Sequence, residues 1–300
     1  MSDKTHQNLA FLFFFSLNIF DSMLKISPDE LKLVAQYIHD ISGIYLDQGK
    51  AYLFETRLGS IASEHGCKTY KELYQKAKTE PSKSIERKII DAISTNETLF
   101  FRDKGPFELL QHKLLPELID ARTPGSPALK TNIKIWSAAS STGQELYSIA
   151  ITLKELLPDF SRYTIKLLGT DISDGAVAQA SRGKYNKFEM ERGLPGDKLQ
   201  RYFTMFGDSW TIKDEIRAMV QFRKLNLMLP FADLGKFDII FCRNVAIYFT
   251  LPDRQKLFNK IADSLADDGY LIIGSTESLT GICPLFVPKR YLRSIFYQKK

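Results

Sequence analysis

The chain has 300 residues, 44% of them hydrophobic and 25% charged, so it suits one or two globular domains and is neither disordered nor fibrous. The net charge of +6 suggests three kinds of possible partner: a nucleic acid, a membrane surface or an acidic protein. Five basic residues and no acid lie within 289–300, however, so much of the excess is a basic tail. The three cysteines are widely spaced without a CxxC pair, which argues against disulfides and a metal site and favours a reducing, cytoplasmic setting.

An apolar run, LAFLFFFSLNIF at residues 9–20, lies near the start of the chain. It is shorter than the roughly 20 residues that a helix needs to span a bilayer, so we expect no stable membrane insertion. It also lacks the basic flank and the small-residue cleavage site of a signal peptide. We interpret residues 1–24 as an extra apolar segment, and a membrane-surface anchor is the alternative.

Residues 25–120 are predicted to form an all-helical domain. The domain begins with Ser27-Pro28-Asp29-Glu30, a capping box with proline at the first helical position. Apolar residues at helical spacing and glycine stops then predict helices at about 27–42, 50–65, 69–78, 81–94 and 103–120. The segment 121–132 holds two prolines and a glycine and is predicted to be a linker.

After the linker, apolar strands alternate with helices. Strands are predicted at 133–138, 164–169, 220–225, 237–242, 270–274 and 294–298, with helices at 145–157, 175–182 and 252–265. This alternation indicates that residues 133–300 form a parallel sheet covered on both faces, with ligands at the carboxyl ends of its strands. The stretch 184–218 is too long for a plain connection and is predicted to be a small inserted subdomain.

Residues that follow the predicted strands suggest a nucleoside site. The first strand runs into Ser137–Glu145, which is rich in small residues but carries neither a dinucleotide nor a P-loop fingerprint. Asp171 follows the second strand, where an acid accepts the hydroxyls of a ribose; the alternative is that it caps the next helix. Asn226 and Leu227 follow a further strand and suit an adenine edge and face. The Asn/Asp-Pro-Pro-aromatic turn of amine methyltransferases is missing after 237–242, which argues against methylation of a base.

Five segments together resemble the CheR family of chemotaxis-receptor glutamate methyltransferases. They are TNETLFFR at 95–102, WSAASSTGQELYSIA at 136–150, GTDI at 169–172, LNL at 225–227 and FCRNVAIYF at 241–249. The likeness covers about residues 27–297 in family order. It implies an α/β fold: a Rossmann-like class I methyltransferase sheet with an N-terminal all-helical domain and a small β insert. It also implies S-adenosylmethionine as the cofactor, with S-adenosylhomocysteine as its product.

The resemblance assigns roles to individual residues. It implies a cofactor site that contains Asn96, Thr98, Arg102, Glu145, Asp171, Asn226, Leu227, Asn244 and Val245. For catalysis, we expect Arg102 to hold the acceptor carboxylate and Tyr248 to orient a reactant; a structural salt bridge and a core aromatic are the alternatives. Gln144, Leu146 and Ala246 depart from the family pattern, and the second helix carries fewer arginines than is usual.

The function implied is transfer of a methyl group to glutamate side chains of chemotaxis receptors, forming γ-carboxyl methyl esters for sensory adaptation. A glutamate is ionised at neutral pH, so this reaction requires no general base. The expected partner is the cytoplasmic helical region of the receptors, and the expected state is a cytoplasmic monomer that binds no nucleic acid or metal. Two alternatives are a non-catalytic sensor of cofactor or receptor and a nucleic-acid methyltransferase.

Overall fold

The computed structural model describes residues 24–122, 130–231 and 233–300. The apolar run at 9–20 and most of the linker segment lie outside these residues. The chain divides into two compact units, one ending at Ile93 and the other comprising Ser94–Lys300 with the short piece Ser42–Ile44. Within the described ranges, none of the helices has both the length and the apolar character required to cross a bilayer.

The first unit is helical. It consists of α1 (Pro28–Ser42), a 3₁₀ turn (Gln48–Lys50), α2 (Ala51–Glu64), α3 (Tyr70–Thr79) and α4 (Ser84–Ile93). The capping box at the start of α1 is formed: the Ser27 backbone N–H donates to Glu30 Oε2 at 3.0 Å, and the Glu30 N–H donates to Ser27 Oγ at 3.4 Å. Because these bonds satisfy first-turn amides, the predicted helix start is confirmed locally.

Apolar side chains at helical spacing form the core of this unit, including Val34, Ile38, Phe54, Leu58 and Ile89, each at most 1% exposed. Arg57 of α2 donates from Nη1 to the Ile93 carbonyl at 2.9 Å. Its guanidinium therefore caps the end of α4, and this contact gives it a structural role within the unit.

The second unit begins with helices and continues into a sheet. The helical elements are α5 (Gly105–Leu109), a π-helical turn (Leu110–Leu114), α6 (Leu115–Arg122), α7 (Gln144–Leu156), a 3₁₀ turn (Phe160–Arg162), α8 (Asp174–Arg182), α9 (Lys187–Glu191), α10 (Gly196–Tyr202), α11 (Asp214–Arg217), a 3₁₀ turn (Ala246–Tyr248) and α12 (Leu251–Ser264). The strands are β1 (Thr131–Ala138), β2 (Tyr163–Asp171), β3 (Lys184–Asn186), β4 (Phe203–Phe206), β5 (Ser209–Ile212), β6 (Val220–Lys224), β7 (Phe237–Cys242), β8 (Leu265–Ile273), β9 (Phe286–Tyr291) and β10 (Ser294–Lys299).

Seven strands form the central sheet in the order β6-β2-β1-β7-β8-β10-β9. The pairs from β6 to β8 are parallel, whereas β10 runs antiparallel to both β8 and β9. The sheet is therefore mixed, and the expectation of a wholly parallel sheet is corrected at this edge. The sequence analysis missed β9, in which Pro288 interrupts the strand pattern; an edge strand tolerates proline because one side of it needs no donor.

The helices at 105–122 belong to the second unit, although the sequence places them in the helical domain. Their side chains Phe107, Leu110 and Leu114 are at most 4% exposed and share one core cluster with Ile135 of β1. The two compact units divide at Ile93–Ser94, and not at 121–132 where the composition changes. These helices belong to the second unit because their apolar side chains are buried against its sheet. The proline-rich segment 121–132 that follows them does not mark the boundary between the units.

The insert is a separate antiparallel sheet in the order β3-β5-β4. Tyr185 of β3 and Phe203 of β4 bury their rings against Phe100, with centroids 5.0 and 5.3 Å away. The insert thus packs on the segment that precedes α5. The predicted fold class, with a Rossmann-like sheet, a helical N-terminal part and a small β insert, is confirmed.

Candidate functional site

The loops that follow the parallel strands depart from ordinary backbone geometry. Ala139 and Ser141 after β1, and Asn244 after β7, have φ values of 57°, 50° and 56°. Phe101 and Asp103, on the segment before α5, have φ values of 52° and 65°. Such left-handed conformations in non-glycine residues cost of order 1 kcal/mol each and cluster at functional sites. The carboxyl edge of the sheet is therefore the candidate site.

Arg243, directly after β7, is the centre of this edge. Its side chain is 2% exposed, and its Nη1 donates to Glu145 Oε2 at 2.8 Å. Its Nη2 donates to Asp103 Oδ2 at 2.8 Å and to the Arg102 carbonyl at 3.0 Å. Glu145 in turn accepts from Ser137 Oγ at 2.8 Å. One buried guanidinium therefore joins β1, α7 and the segment that carries Arg102.

Asp171, the predicted ribose acid, lies at the end of β2 and is 6% exposed. Its Oδ2 accepts from the Ser141 N–H at 2.8 Å and its Oδ1 from the Ser173 N–H at 3.0 Å. The cap of α8 is supplied by the Ser173 side chain, which accepts from the Ala176 N–H. The carboxylate thus holds the loop after β1 against the end of β2, and its role toward a ribose stays a prediction.

Asn226 and Leu227 follow β6 at the same edge. Asn226 Oδ1 accepts from the Met228 N–H at 2.8 Å, which closes a tight turn. Lys260 of α12 donates to the carbonyls of Leu227 and Leu229, and its Nζ lies 4.6 Å from the centroid of the Phe231 ring. Burial lowers the pKa of Lys260 to about 8, with a smaller contribution from the positive charge of Lys256.

Asn244 is held by an acid that the sequence analysis did not select. Glu277 Oε2 accepts from the Asn244 N–H at 2.8 Å and from the Gly274 N–H at 2.7 Å. A Cβ on Gly274 would lie 2.5 Å from Glu277 Oε2, so the glycine permits this approach. Glu277 thereby ties the loop after β8 to the left-handed turn that carries Asn244 and the neighbouring half-buried Val245.

The segment with Asn96, Thr98 and Arg102 is anchored from several sides. Phe100 is fully buried, and the Phe101 N–H donates to Ser148 Oγ of α7 at 3.0 Å. Glu97 forms an ion pair with Arg192 of the insert. These contacts fix the path of the segment across the carboxyl edge.

The side chains of this segment are oriented less tightly than its backbone. Asn96 is exposed, Thr98 is half-buried, and Arg102 Nη1 donates to the Glu97 carbonyl at 3.0 Å. Among the described residues, no hydrogen bond joins the side chains of these three residues to Glu145 or Asp171. The structure therefore brings the Arg102 backbone, but not its guanidinium, into the Arg243 network.

Tyr248 lies half-buried on the 3₁₀ turn after β7. Arg254 of α12 holds this turn, since its Nε donates to the Phe249 carbonyl at 2.9 Å and its Nη2 to the Ile247 carbonyl at 3.3 Å. A cavity of about 120 Å³ beside the turn is lined by Ile247, Arg254 and Glu277, among others. This volume is below the roughly 300 Å³ typical of small-molecule sites, and none of the predicted site residues lines the cavity.

Four buried polar atoms at this edge have no hydrogen-bond partner among the described residues: Ser140 Oγ, Ser141 Oγ, Arg243 Nε and Glu277 Oε1. Orphaned buried polar groups are costly, so a polar ligand that satisfies them would bind favourably. Gly143 begins α7 at φ 95°, and a Cβ there would lie 3.0 Å from Phe222 Cζ. The groups at this loop fit S-adenosylmethionine: carboxylates would accept from its ammonium and its ribose hydroxyls, and hydroxyls and backbone N–H groups would donate to its carboxylate.

The buried cysteine at the end of β7 offers no chemistry to the site. Burial raises the pKa of the Cys242 thiol well above its ordinary value, so it is not a thiolate nucleophile. Within the described ranges, no three His, Cys, Asp or Glu side chains are grouped as a metal site. The residues that sequence reasoning missed are Arg243, Asp103 and Glu277. Arg243 lies within the segment FCRNVAIYF, whereas nothing in the sequence pairs Asp103 with Arg243 or Glu277 with Asn244.

Comparison with known proteins finds related sequences over most of the chain. The family model described as "CheR methyltransferase, SAM binding domain" matches residues 96–287, and "CheR methyltransferase, all-alpha domain" matches residues 29–94. The chain is 36% identical over 272 residues to chemotaxis protein methyltransferase Cher2 of Pseudomonas putida, covering 88% of this chain and 95% of that protein. It is 37% identical over 285 residues to a chemotaxis protein methyltransferase of Vibrio parahaemolyticus, covering 92% and 99%.

A solved structure of a TehB-like SAM-dependent methyltransferase from Corynebacterium glutamicum also matches. Its TM-score is 0.35 at 14% identity, and the match covers 61% of this chain and 86% of that one.

Proposed function

Because the chain belongs to the CheR methyltransferase family, we propose that the carboxyl edge of its sheet is where a receptor glutamate meets the cofactor. The protein is an S-adenosylmethionine-dependent methyltransferase of chemotaxis that esterifies receptor glutamates. The observation that carries the placement is the Arg243 network, in which one guanidinium binds Glu145, Asp103 and the Arg102 carbonyl. This network joins Glu145, on the proposed cofactor side, to the segment with Arg102, on the proposed acceptor side.

S-adenosylmethionine supplies a methyl group on a sulfonium, whose carbon passes to a glutamate oxygen while the electron pair of the broken C–S bond stays on sulfur. The acceptor is a carboxylate with an ordinary pKa near ~4.3, so no proton has to be removed at neutral pH. The task of the protein is therefore to align the two reactants and to exclude water. Alignment of this kind is worth up to about 7–11 kcal/mol of the barrier.

Residues after four strands would hold the cofactor. Asp171 would receive ribose hydroxyls, Asn226 and Leu227 would pack on the adenine, and Asn244 with Val245 would form the far wall. Glu145 would attract the positively charged amino-acid end, and Asn96 and Thr98 would close the pocket from the anchored segment. Support comes from their common position at one edge and from the orphaned polar atoms there.

Arg102 would hold the acceptor carboxylate, and Tyr248 would orient it from the opposite side. A guanidinium binds a carboxylate strongly and fixes its plane. In the structure, the Arg102 guanidinium rests on the Glu97 carbonyl, a weaker partner than an incoming carboxylate, so the exchange is favourable. Because a bound oxygen is a poorer nucleophile, we infer that only one carboxylate oxygen is held.

The acceptor lies on a chemotaxis receptor, and we infer that it is in the cytoplasmic helical region of that receptor. We also infer that the enzyme acts as a cytoplasmic monomer. A size measurement by light scattering, alone and with a receptor fragment, tests the last point. A dimer at working concentration would contradict it.

The reaction is tested with S-adenosylmethionine labelled in its methyl group and receptor-containing membranes. We expect label in the receptor, with release as volatile methanol under mild base, because methyl esters hydrolyse and methyl amines do not. Label in RNA or DNA would favour a nucleic-acid methyltransferase. Cofactor binding without any transfer would favour a non-catalytic sensor; no observation in the structure favours either.

Arg102→Ala tests the acceptor role. Since a hydrogen bond to a charged group contributes about 1.5–3 kcal/mol, we expect methyl transfer to slow by about 10- to 100-fold. Cofactor affinity, measured in parallel by calorimetry, separates a loss of acceptor binding from a loss of cofactor binding. Unchanged transfer at normal cofactor affinity would remove Arg102 from the mechanism.

A further inference from the structure

The turn between β9 and β10 presents positive charge at the same edge as the site. Tyr297 of β10 pairs with Leu271 of β8, and the two strands are antiparallel. Residues that precede Tyr297 therefore run toward the carboxyl end of β8, where Gly274 and Glu277 lie. The β9–β10 turn, at residues 291–294, thus lies at the carboxyl edge of the sheet, although β9 and β10 supply no predicted site residue.

A close contact ties this turn to the segment that carries Arg102. A Cβ added to Gly105 would lie 2.7 Å from Ser294 Oγ, so the two residues touch. Gly105 comes three residues after Arg102 and directly after Lys104, which is exposed. Ser294 is the first residue of β10 and follows Arg293. The turn therefore contacts the segment that carries the proposed acceptor arginine, three residues after it.

The exposed side chains around this contact are basic and apolar. Arg290, Arg293 and Lys104 are exposed and form no ion pair with a described residue. Leu292 is 70% exposed at φ 50°, and Ile295, the cross-strand partner of Arg290, is 53% exposed. The turn thus offers unpaired cations with two apolar side chains next to them, a combination that can bind an anionic partner and pack on its apolar groups.

We propose that this hairpin surface, made of Lys104, Arg290, Leu292, Arg293 and Ile295, docks the acidic segment of the receptor that carries the acceptor glutamates. The proposal rests on the proposed function, since it names a contact that the same substrate makes beside the reacting group. Receptor glutamates are the substrate, so the segment presented to the site carries carboxylates besides the one that reacts. The cations of the hairpin surface attract those carboxylates, and the two apolar side chains pack on the methylene or apolar groups between them.

Charge reversal of the turn is the test. The variant Arg290→Glu/Arg293→Glu is compared with wild type in steady-state methylation of a lipid-free cytoplasmic receptor fragment. We expect the KM for the fragment to rise about tenfold, because two attractive contacts become repulsive. The kcat and the KM for S-adenosylmethionine stay unchanged. At about 1 M NaCl, where the Debye length is about 3 Å, the difference in KM shrinks.

A matched control carries the same charge change at the opposite edge of the sheet. Arg162 and Lys166, before and within the first half of β2, are exposed, and Arg162→Glu/Lys166→Glu is expected to leave the KM for the fragment within twofold of wild type. A similar rise in both variants would show a general charge effect and overturn the proposal.

Other outcomes also decide the matter. An unchanged KM in the Arg290→Glu/Arg293→Glu variant would overturn the docking surface alone, provided that wild type forms base-labile methyl esters. An effect seen only with receptors in anionic vesicles, and not with the lipid-free fragment, would show that the turn binds lipid headgroups. Absence of ester formation by wild type would overturn the proposed function, and this inference with it.

Discussion

Strand β7 has an arginine network at each of its two ends, and the two networks share the same pattern of charges. At the amino end, Arg122 of α6 forms ion pairs with Asp238 of β7 and Asp268 of β8. At the carboxyl end, Arg243 joins Glu145 and Asp103, each at 2.8 Å. Both arrangements place one guanidinium between two carboxylates, which is the geometry that fixes neighbouring elements most firmly.

Backbone strain and unsatisfied atoms separate the two networks. Asp103, and Asn244 next to Arg243, have left-handed backbone conformations, whereas Arg122, Asp238 and Asp268 do not. Arg243 Nε lacks a partner among the described residues, whereas Arg122 Nε donates to Asp268 Oδ2 at 2.9 Å. The amino-end network is complete in the protein alone and serves stability. The carboxyl-end network combines left-handed backbone with a buried polar atom that lacks a partner among the described residues, and both features cluster at functional sites.

Removing the guanidinium at the carboxyl end gives the largest expected effect. In Arg243→Met, Glu145 and Asp103 lose their shared partner, and breaking a buried pair costs about 3–5 kcal/mol. Because the Glu145 carboxylate and the segment that carries Arg102 are then no longer held in place, we expect kcat/KM for methyl transfer to fall at least about 100-fold, the loss that a misplacement of about 1 Å can cause. The rate is measured with labelled S-adenosylmethionine, together with thermal unfolding to establish that the variant is folded.

Arg243→Lys is the companion variant. It keeps the charge but has no planar fork, so it recovers part of the activity while leaving one of the three acceptors without its donor. If Arg243→Met kept the wild-type kcat/KM, the carboxyl-end network would be structural, and the contrast between the two ends of β7 would be lost.

The second largest effect is expected at Glu277. Glu277→Ala releases the N–H groups of Asn244 and Gly274, so the turn at Asn244 loosens and the KM for S-adenosylmethionine rises about tenfold with a smaller change in kcat. Glu277→Gln keeps an oxygen that accepts both N–H groups and recovers most of the affinity. Equal loss of kcat and affinity in both variants would indicate a direct chemical role and not a positioning role.

At the amino end, the same kind of change should act on stability alone. Arg122→Ala leaves Asp238 and Asp268 without their cation, and we expect the free energy of unfolding to fall by about 2 kcal/mol. In a chain of this size the Tm falls by about 5 °C. The kcat/KM at temperatures below the transition stays within twofold of wild type. A tenfold loss of activity without a change in Tm would reverse the assignment of the two ends.

The smallest effect concerns pH and the half-buried Lys260, which binds the Leu227 carbonyl next to Asn226. The pKa of Lys260 is about 8 in the folded protein and near 10.5 in the unfolded chain. Between these values the unfolded chain binds a proton that the folded protein has released, so this group adds stability as the pH rises and costs stability below pH 8.

The matched variant is Lys260→Met, which keeps the apolar stem. We expect the Tm of wild type, measured relative to that of Lys260→Met, to rise between pH 8 and pH 10. A difference in Tm that stays constant across that range would show that the pKa of Lys260 is not lowered by burial.

The sequence alone determines a large part of this protein. Local patterns predicted the capping box at Ser27, the strands at 133–138 and 237–242, and the insert, and the fold class, family and cofactor inferred from the motifs are confirmed. These features depend on residues close together in the chain, which is where helical spacing, strand runs and motif order carry information. The predicted contacts of the individual site residues with the cofactor and the acceptor stay predictions.

Tertiary structure decided what distant residues do together. The ion pair between Arg243 and Asp103 joins residues 140 positions apart in the chain. The hydrogen bond between Glu277 and Asn244 joins residues 33 positions apart. The assignment of helices 105–122 to the sheet unit depends on burial against β1, and the direction of β10 depends on pairing with β8 and β9. No local pattern encodes such pairings, because they follow from which apolar faces bury one another once the chain is compact. The basic tail shows the same limit: its composition revealed the charge, but only the antiparallel hairpin places Arg290 and Arg293 beside the site.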